Sequence, residues 1–221
     1  MSAPQVDATP ALKPSPVVLR GQYGRLEKFD PVKHAASLWD AIAGDDELWT
    51  YMWYGPFAAR SEFDKFASAL ASREDPYAYA ILDQTDKALG VATLMEIRPA
   101  NRVIEVGGIF YAKALRHTPL ATEAQYLLMR YAFEELHYRR YEWKCDVLNA
   151  PSRRAAERFG FTYEGTFRQH MIVKGKNRDT AWYAMLDSEW PARKRAFETW
   201  LAADNFDPQG RQKKKLEQFR G

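Results

Sequence analysis

The feature that most constrains this chain is one amphipathic helix that stands between two strand-like segments. Residues 122–137 carry apolar side chains at helical spacing, between the strand-like segments 102–111 and 141–147. A helix that joins two strands of one sheet is a crossover connection, which leaves those two strands parallel. The sequence therefore predicts an α/β fold with a mixed, mostly antiparallel sheet, one parallel strand pair, and helices on both faces.

Residues that favour helix ends mark two helix starts. Thr122 followed by Gln125 matches a capping box, so we predict that the long helix begins there. Asn149 is predicted to cap a shorter helix, with Pro151 in its first turn and Gly160 just past its end. Each helix start offers backbone N–H groups that have no partner inside the helix.

Length and composition predict one domain in a reducing compartment. A chain of 221 residues that is 46% hydrophobic is long enough for one domain with a core, which we assign to residues 17–203. Residues 1–16 are predicted to be a flexible lead-in and residues 204–221 a polar tail. The one cysteine, Cys145, excludes a disulfide framework and suits the cytoplasm. The sequence has no run of about 18 apolar residues, so we expect no transmembrane helix and no membrane partner.

The charge balance argues against a nucleic-acid partner. The chain has 32 Lys and Arg against 29 Asp and Glu, for a net charge of +3. That excess is too mild to indicate nucleic-acid binding, and the basic run 213–215 is typical of a solvated tail. His117, His137 and His170 lack the spacing of metal ligands, so we expect no metal.

Two motifs carry a resemblance to a known family. The first is Arg-His-Thr-Pro-Leu-Ala-Thr-Glu-Ala at residues 116–124, and the second is Asn149-x-x-Ser152 followed by Phe-Gly-Phe at residues 159–161. In this order they resemble the GNAT superfamily of CoA-dependent N-acetyltransferases, over roughly residues 17–190. Within it, the chain is similar to the branch of ribosomal-protein N-terminal acetyltransferases. The resemblance implies a GNAT-like fold and acetyl transfer from acetyl-CoA to a primary amine.

The resemblance also implies where acetyl-CoA is held. A loop that feeds a helix N-terminus suits a pyrophosphate. The implied cofactor contacts lie on one strand end, on the loop and first helix turn, and at the second motif: Ile109, Phe110, Tyr111, Arg116, His117, Thr118, Leu120, Ala121, Thr122, Asn149 and Ser152. The chain departs from the family at Pro119, which replaces the internal glycine and has no N–H, and at His117, another position where glycine is common. The departure at Pro119 favours an alternative, a non-catalytic CoA-binding regulatory module.

Glu105 and Ser152 are the catalytic candidates that the resemblance implies. In a direct attack of the amine on the thioester, Glu105 would be the general base, and Ser152 would protonate or hydrogen-bond the leaving thiolate. Backbone N–H groups at residues 109–111 would hold the thioester oxygen, freed by a bulge that Gly107 and Gly108 indicate.

Structural alternatives to these roles stay open. Glu105 is flanked by apolar residues, which favours a raised pKa, but it could also be a strand carboxylate paired with Arg102 or another base. Asn149 and Ser152 could be only first-turn residues of a capped helix. Tyr111 and Tyr163 are reserve candidates for the acid.

The sequence indicates candidate acceptor contacts but does not identify the acceptor. Four aromatic residues in seven, at residues 48–54, form either core packing or a pocket wall, with Trp49, Trp53 and Tyr54 as candidate substrate contacts. Acidic residues at 45–47 would favour a cationic amine. A protein N-terminus or a small-molecule amine fits these features. An exposed strand edge or the C-terminal helix could make a homodimer, but periodicity does not decide the oligomeric state. A third hypothesis, a nucleic-acid-associated protein that uses the basic tail, has only residues 213–215 in its favour.

Overall fold

Eight strands of the described chain form one sheet. The computed structural model describes residues 5–220, and its strand order is β1-β2-β3-β4-β5-β6-β8-β7. The strands are Leu19–Arg20 (β1), Gly24–Lys28 (β2), Tyr77–Asp83 (β3), Ala88–Arg98 (β4), Val103–Tyr111 (β5), Arg140–Asp146 (β6), Thr162–Val173 (β7) and Lys176–Leu186 (β8). The helices are Pro31–Ile42 (α1), Arg60–Ala71 (α2), Pro119–Arg130 (α3), Ala150–Phe159 (α4) and Trp190–Leu201 (α5), with short 3-10 turns at Asp46–Trp49, Pro99–Asn101, Ala203–Asn205 and Leu216–Phe219.

The predicted parallel pair is β5 with β6. They are joined through α3, and the other strand pairs of the described chain are antiparallel. The sequence prediction of the fold class is therefore confirmed. The reason is the crossover: a strand that returns through a helix re-enters the sheet in the same direction.

Helices cover both faces of the sheet, as predicted. Along β3, Ala78, Ala80 and Leu82 pack into a core with α1 and α2. The alternate residues Tyr79 and Ile81 pack into a second core with α3, α4 and α5. Successive side chains of a strand point to opposite faces, so a strand buried on both sides must be apolar throughout. We call these the α1–α2 face and the α3–α5 face.

The start of α3 differs from the predicted capping box. The helix begins at Pro119 rather than Thr122, and Thr118 is its N-cap, with a side chain that accepts from the amide of Ala121. Proline at the first helical position has its φ already set, and threonine in an extended conformation is a good cap. The helix continues as a π-turn over Tyr131–Glu135.

The start and end of α4 are as predicted. Asn149 is the N-cap and accepts from the amide of Ser152, and Gly160 ends the helix in the left-handed region at φ 91°. Glycine adopts that conformation without a Cβ clash, which explains its place directly after the helix.

The chain on either side of the predicted domain packs against it. Before it, the amide of Ala11 donates to Pro99 O at 3.1 Å, and that of Leu12 donates to Leu136 O at 3.0 Å. After it, Leu216 is buried. The structure differs here from the expected flexible lead-in and polar tail, of which residues 1–4 and 221 lie outside the described residues. None of the helices in residues 5–220 is long and apolar enough to cross a membrane.

Candidate active site

A cavity opens where the parallel strands part. β5 and β6 are paired from Val103 with Arg140 to Val106 with Trp143, and no pairing between them follows in the described chain. Beyond that point lies a cavity of about 910 Å³. Its wall includes the end of β5, the loop and first turn of α3, the end of β6, and the first turn of α4. The separation of two parallel strands thus creates a slot between two helix N-termini.

A bulge shapes the β5 side of the slot. Thr93 pairs with Gly107 and Val91 pairs with Phe110, so two residues of β5 lie opposite one residue of β4. Gly108, at φ 56°, is one of those two residues, and this confirms the bulge that the paired glycines indicated. A bulge interrupts the ladder, which turns backbone groups out of the sheet. These groups lie at the cavity, with Gly108 and Ile109 in its wall.

Glu105 is buried in the cavity wall beside Lys144. Its carboxylate accepts from the Nζ of Lys144 at 2.7 Å, and the same Nζ lies 3.0 Å from the carboxylate of Glu142. Burial raises the pKa of Glu105 to about 7, and the charge of Lys144 opposes that rise. Of the partners considered for Glu105, Arg102 bonds His137 O and Asp7 instead, and the other base is Lys144. Glu105 is therefore a paired carboxylate that still faces the cavity and titrates near neutrality.

The first turn of α3 offers few free amides. The side chain of Thr118 takes the amide of Ala121, and Pro119 has none to give. Leu120 therefore keeps the first-turn amide that neither a cap nor proline removes. His117 holds the left-handed conformation, at φ 62°, which glycine would hold with less strain.

The positive charge of Arg116 is partly neutralised. Its guanidinium lies 2.5 Å from the carboxylate of Asp45 and also donates to Tyr111 O at 2.9 Å. Lys113 approaches the same carboxylate at 3.6 Å. Asp45, one of the acidic residues expected to attract a cationic amine, therefore faces two basic side chains, and it is not part of the cavity wall.

Both polar residues at the start of α4 keep a donor free. The Oδ1 of Asn149 accepts from the amide of Ser152 at 3.1 Å, so the NH₂ group of Asn149 is not used by the cap. The hydroxyl of Ser152 accepts from Nε1 of Trp143 at 3.0 Å, which leaves its proton to be donated elsewhere. Both residues line the cavity. The capping interpretation and the cofactor interpretation are therefore compatible.

Tyr111 and Gln125 meet in the cavity wall. Gln125 donates to the Oη of Tyr111 at 2.6 Å, and its own Oε1 is buried without a partner among residues 5–220. Burial raises the pKa of Tyr111 well above its ordinary value. Tyr163, the other reserve acid, is exposed on β7, bonds Thr166, and is not part of the wall.

The remaining predicted residues divide between cavity and core. Those whose side chains or backbone line the cavity are Glu105, Ile109, Tyr111, Arg116, His117, Thr118, Ala121, Thr122, Asn149, Ser152 and Trp53. Phe110 and Leu120 pack into the two cores instead. Trp49 is buried in the α1–α2 core, and Tyr54 packs against it. The aromatic run is therefore core packing at Trp49 and Tyr54 and cavity wall at Trp53.

Several wall residues were missed from the sequence. Tyr51, one of the four aromatic residues of the run, lines the cavity. Met52 lies within the run without being one of those four, and Lys144 lies in the predicted strand 141–147 but was not chosen. Arg178 was not chosen from the sequence, and it begins the buried part of β8. The region around residues 206–212, assigned to the tail, also reaches the cavity. Strand alternation could have identified Lys144 as a residue of the face opposite Trp143 and Cys145.

The class that this fold and cavity define is that of the GNAT acetyltransferases. The chain belongs to this family: the model of the acetyltransferase (GNAT) domain matches residues 25–162, more than half of the sequence. The family predicted from the two motifs is therefore confirmed.

Relatives and solved structures agree with that assignment. A GCN5-related N-acetyltransferase from Brucella melitensis is 48% identical, with a TM-score of 0.95 over 97% of this chain and 98% of that one. A probable acetyltransferase of the GNAT family from Chromobacterium violaceum is 41% identical, with a TM-score of 0.82 over 86% and 97%. The Bacillus subtilis protein named "Putative ribosomal N-acetyltransferase YdaF" is 35% identical over 48% of this chain and 57% of its own length. This chain thus spans little more than half of that curated relative.

Proposed function

We propose that this protein transfers an acetyl group from acetyl-CoA to a primary amine by direct attack, without an acyl-enzyme. One observation carries the proposal: the divergence of β5 and β6 gathers a buried carboxylate, a glycine bulge and two helix N-termini around one cavity. These are the groups that an amine, a thioester oxygen and an anionic cofactor each require. The amine belongs to a protein N-terminus or a small molecule, and we place the protein in the cytoplasm.

The cavity wall fits acetyl-CoA, which supplies the thioester. The buried Oε1 of Gln125 lacks a donor among residues 5–220, and a pantetheine amide would provide one. The NH₂ group of Asn149 would bond a second pantetheine group. The amide of Leu120 and the positive end of α3 would hold the pyrophosphate. Pro119 occupies the first helical position, whose amide would have no partner inside the helix, so its substitution for glycine leaves the helix intact.

Glu105 would remove the proton from the incoming amine. An α-amine has a pKa of about 7.7–8.0 and a lysine amine about 10.4. A carboxylate with a pKa of about 7 is matched more closely to the first of these, which supports a protein N-terminus or another weakly basic amine as acceptor. Lys144 would keep a fraction of Glu105 ionised, because its positive charge favours the carboxylate.

Backbone amides would stabilise the negative charge on the thioester oxygen, and Ser152 would stabilise the charge on the leaving sulfur. Amides near Gly108 and Ile109 are turned out of the ladder at the bulge, and they would bond the thioester oxygen as it becomes negative. The hydroxyl proton of Ser152 would be donated to the departing sulfur, since Trp143 already uses the oxygen as an acceptor. The N–C bond would form first and give a tetrahedral oxyanion, and the C–S bond would break as that oxyanion collapses. The amine proton would leave through Glu105 to solvent, and Ser152 would regain from solvent the proton that it gives to the sulfur.

Calorimetric titration with acetyl-CoA, followed by a turnover assay on an amine panel, tests the proposal. The wild type should bind in the micromolar range, Asn149→Ala should bind about tenfold more weakly, and Ser152→Ala should bind normally but turn over slowly. Absence of binding at high protein concentration would overturn the proposal. Binding without turnover on any amine would instead support the regulatory-module alternative.

A further inference from the structure

Arg178 is a buried cation that has no ion-pair partner among residues 5–220. Its side chain is part of the cavity wall, and the residue is 6% exposed. Its Nε has no hydrogen-bond partner, and none of the ion pairs within residues 5–220 includes it. The ring of Trp53, which belongs to the aromatic run at residues 48–54, has its centroid 5.9 Å from the guanidinium carbon. Arginine cannot lose its proton in a protein, so this positive charge persists at all working pH values.

Two other arginines of the cavity wall, Arg116 and Arg158, have their charge or donors engaged. Arg116 is paired with Asp45. Arg158 donates to the hydroxyl of Thr122 at 3.0 Å and lies 5.0 Å from the ring of Trp200. A buried ion is costly unless an opposite charge and hydrogen bonds compensate it. The arrangement at Arg178 is therefore that of a site completed by an anionic ligand.

Strand alternation places Arg178 on the face of the sheet where the amine must be deprotonated. In β6, Tyr141, Trp143 and Cys145 belong to the α3–α5 core, so Lys144 lies on the α1–α2 face. In β8, Ala181 and Tyr183 belong to the same α3–α5 core, so Arg178 also lies on the α1–α2 face.

The groups proposed to bind the cofactor lie on the opposite face of the sheet from Arg178. Helices α3 and α4, whose N-termini would hold acetyl-CoA, pack on the α3–α5 face. Glu105 alternates with the α3–α5 core residues Ile104 and Val106, so it lies with Lys144 and Arg178 on the α1–α2 face. The free guanidinium therefore faces the acceptor rather than the pyrophosphate.

Strand spacing gives the reach between the two charges. Lys144 pairs with Trp182, and Glu142, the β6 partner of Glu105, pairs with Ala184. Arg178 precedes Trp182 by four residues and Ala184 by six, so at about 3.3 Å per residue its Cα atom lies about 13–20 Å along β8 from the level of Lys144 and Glu105. The long side chain of Arg178 shortens this gap. A single α-amino acid does not span what remains, whereas a short extended peptide, at about 3.3–3.6 Å per residue, does.

We propose that Arg178 binds an anionic group of the acceptor, and that this group lies a few residues of extended chain from the amine that is acetylated. The inference rests on the proposed function and specifies its acceptor: a peptide-like amine with an acidic side chain or a terminal carboxylate near its N-terminus. An α-amino acid is too short to reach both groups. Tyr51 and Trp53 would form the apolar wall beside such a chain.

Matched peptides test the proposal. The substrates are the tetrapeptide amides Ser-Ala-Asp-Ala-NH₂ and Ser-Ala-Asn-Ala-NH₂, assayed with the wild type, Arg178→Met, and the control Lys176→Met. Lys176 is an exposed cation of the same hairpin, so its removal changes net charge equally. We expect the wild type to prefer the aspartate peptide in kcat/KM by about tenfold or more, Arg178→Met to lose that preference, and Lys176→Met to retain it.

Two further measurements separate the possible failures. Calorimetry with acetyl-CoA should give the same affinity in Arg178→Met as in the wild type, and a loss of that affinity would assign Arg178 to the cofactor and overturn the proposal. Arg178→Met should melt no lower than the wild type, because it removes a buried unpaired charge. Binding of the acetylated aspartate peptide with CoA present gives a readout besides turnover.

The outcomes distinguish this inference from the function on which it rests. A wild type that acetylates both peptides equally, or prefers free α-amino acids, overturns the anionic site and leaves acetyl transfer intact. A preference for the aspartate peptide that survives in Arg178→Met also overturns it. A wild type that binds no acetyl-CoA overturns the proposed function itself.

Discussion

The two sides of the slot achieve their chemistry differently. On the α3–α5 face, the groups that keep a free donor at the two helix starts are neutral: helix amides, the NH₂ of Asn149, and the hydroxyl of Ser152, which is held by Trp143. On the α1–α2 face, the groups are charged: Glu105 and Arg178 are buried, and Lys144 is largely buried beside the carboxylates of Glu105 and Glu142. A cofactor that is always the same needs a fixed set of donors. An acceptor that must lose a proton needs groups whose charge can change or be compensated.

The comparison also separates what is local in sequence from what is not. The groups of the α3–α5 face come from two short segments, 116–122 and 149–152, each a loop that leads into a helix. The groups of the α1–α2 face come from different strands and from the segment after the Asp46–Trp49 turn. Their positions depend on strand register, which only the complete sheet sets.

Glu105→Gln is expected to cause the largest loss of activity, because it removes the proposed base from the α1–α2 face. The amide keeps the shape but cannot accept a proton, so we expect kcat to fall by about 10²–10⁴-fold with acetyl-CoA affinity unchanged. Steady-state kinetics and calorimetry measure the two effects. Asp146→Asn, which removes another carboxylate of the cavity wall, is the matched control and should retain most activity. Activity retained in Glu105→Gln would transfer the base to another group.

Lys144→Met should change the pH profile on the same side. Burial raises the pKa of Glu105 and Lys144 opposes it, while Glu142 and Glu96 act in the direction of burial. The ionised carboxylate is the active form, so activity rises as pH passes through its pKa. Loss of the Lys144 charge raises that pKa further and moves the rising limb of kcat/KM to higher pH, by about one unit or more.

A charge-retaining variant distinguishes this effect from misfolding. Lys144→Arg keeps a cation beside Glu105 and should leave the rising limb near its wild-type position. A rising limb that stays in place in Lys144→Met would show that Lys144 does not set the pKa of the base.

The caps of α3 and α4 offer a smaller test on the neutral side. Thr118→Ala and Asn149→Ala each remove a side-chain cap, which costs about 1 kcal/mol and lowers Tm by about 2–4 °C in a chain of this size. Only Asn149 keeps a donor for pantetheine, so only Asn149→Ala should also weaken acetyl-CoA binding. Thermal melts with calorimetry compare the two. Equal loss of affinity in both variants would contradict a separate cofactor contact at Asn149.

The features that were predicted correctly from the sequence depend on local patterns, whereas those that were not depend on competing or distant contacts. The parallel pair, the bulge at Gly107 and Gly108, and the cap at Asn149 rest on local patterns or on one crossover. The start of α3 was predicted three residues late because Thr122 and Gln125 match a capping box, while Thr118 with Pro119 forms a better start. A motif match does not reveal that a second cap competes with it.

The missed residues share a physical cause. Arg178 was not chosen from the sequence, and its side chain meets Trp53, which is distant along the chain. Asp45 was expected to face an amine, and its pairing with Arg116 joins residues 71 positions apart. Trp49 and Tyr54 lie in the core, because Trp49 packs against Phe110 and Tyr54 against Phe66. Contacts between distant segments decide all of these, and one sequence contains no signal for them.

The smallest expected effect concerns the residue that departs from its family. Pro119→Gly restores the glycine usual at this loop and adds one N–H at the first helical position. That amide lies at the positive end of α3, so acetyl-CoA should bind a few-fold more tightly, by about 0.5–1 kcal/mol. Glycine also loses more conformational entropy on folding than proline, so Tm should fall slightly. Calorimetry and thermal melts measure the opposed changes. Unchanged affinity would mean that the cofactor phosphates make no use of this position and that the amide of Leu120 is sufficient, whereas a gain of a hundredfold would show that the proline has been limiting cofactor affinity.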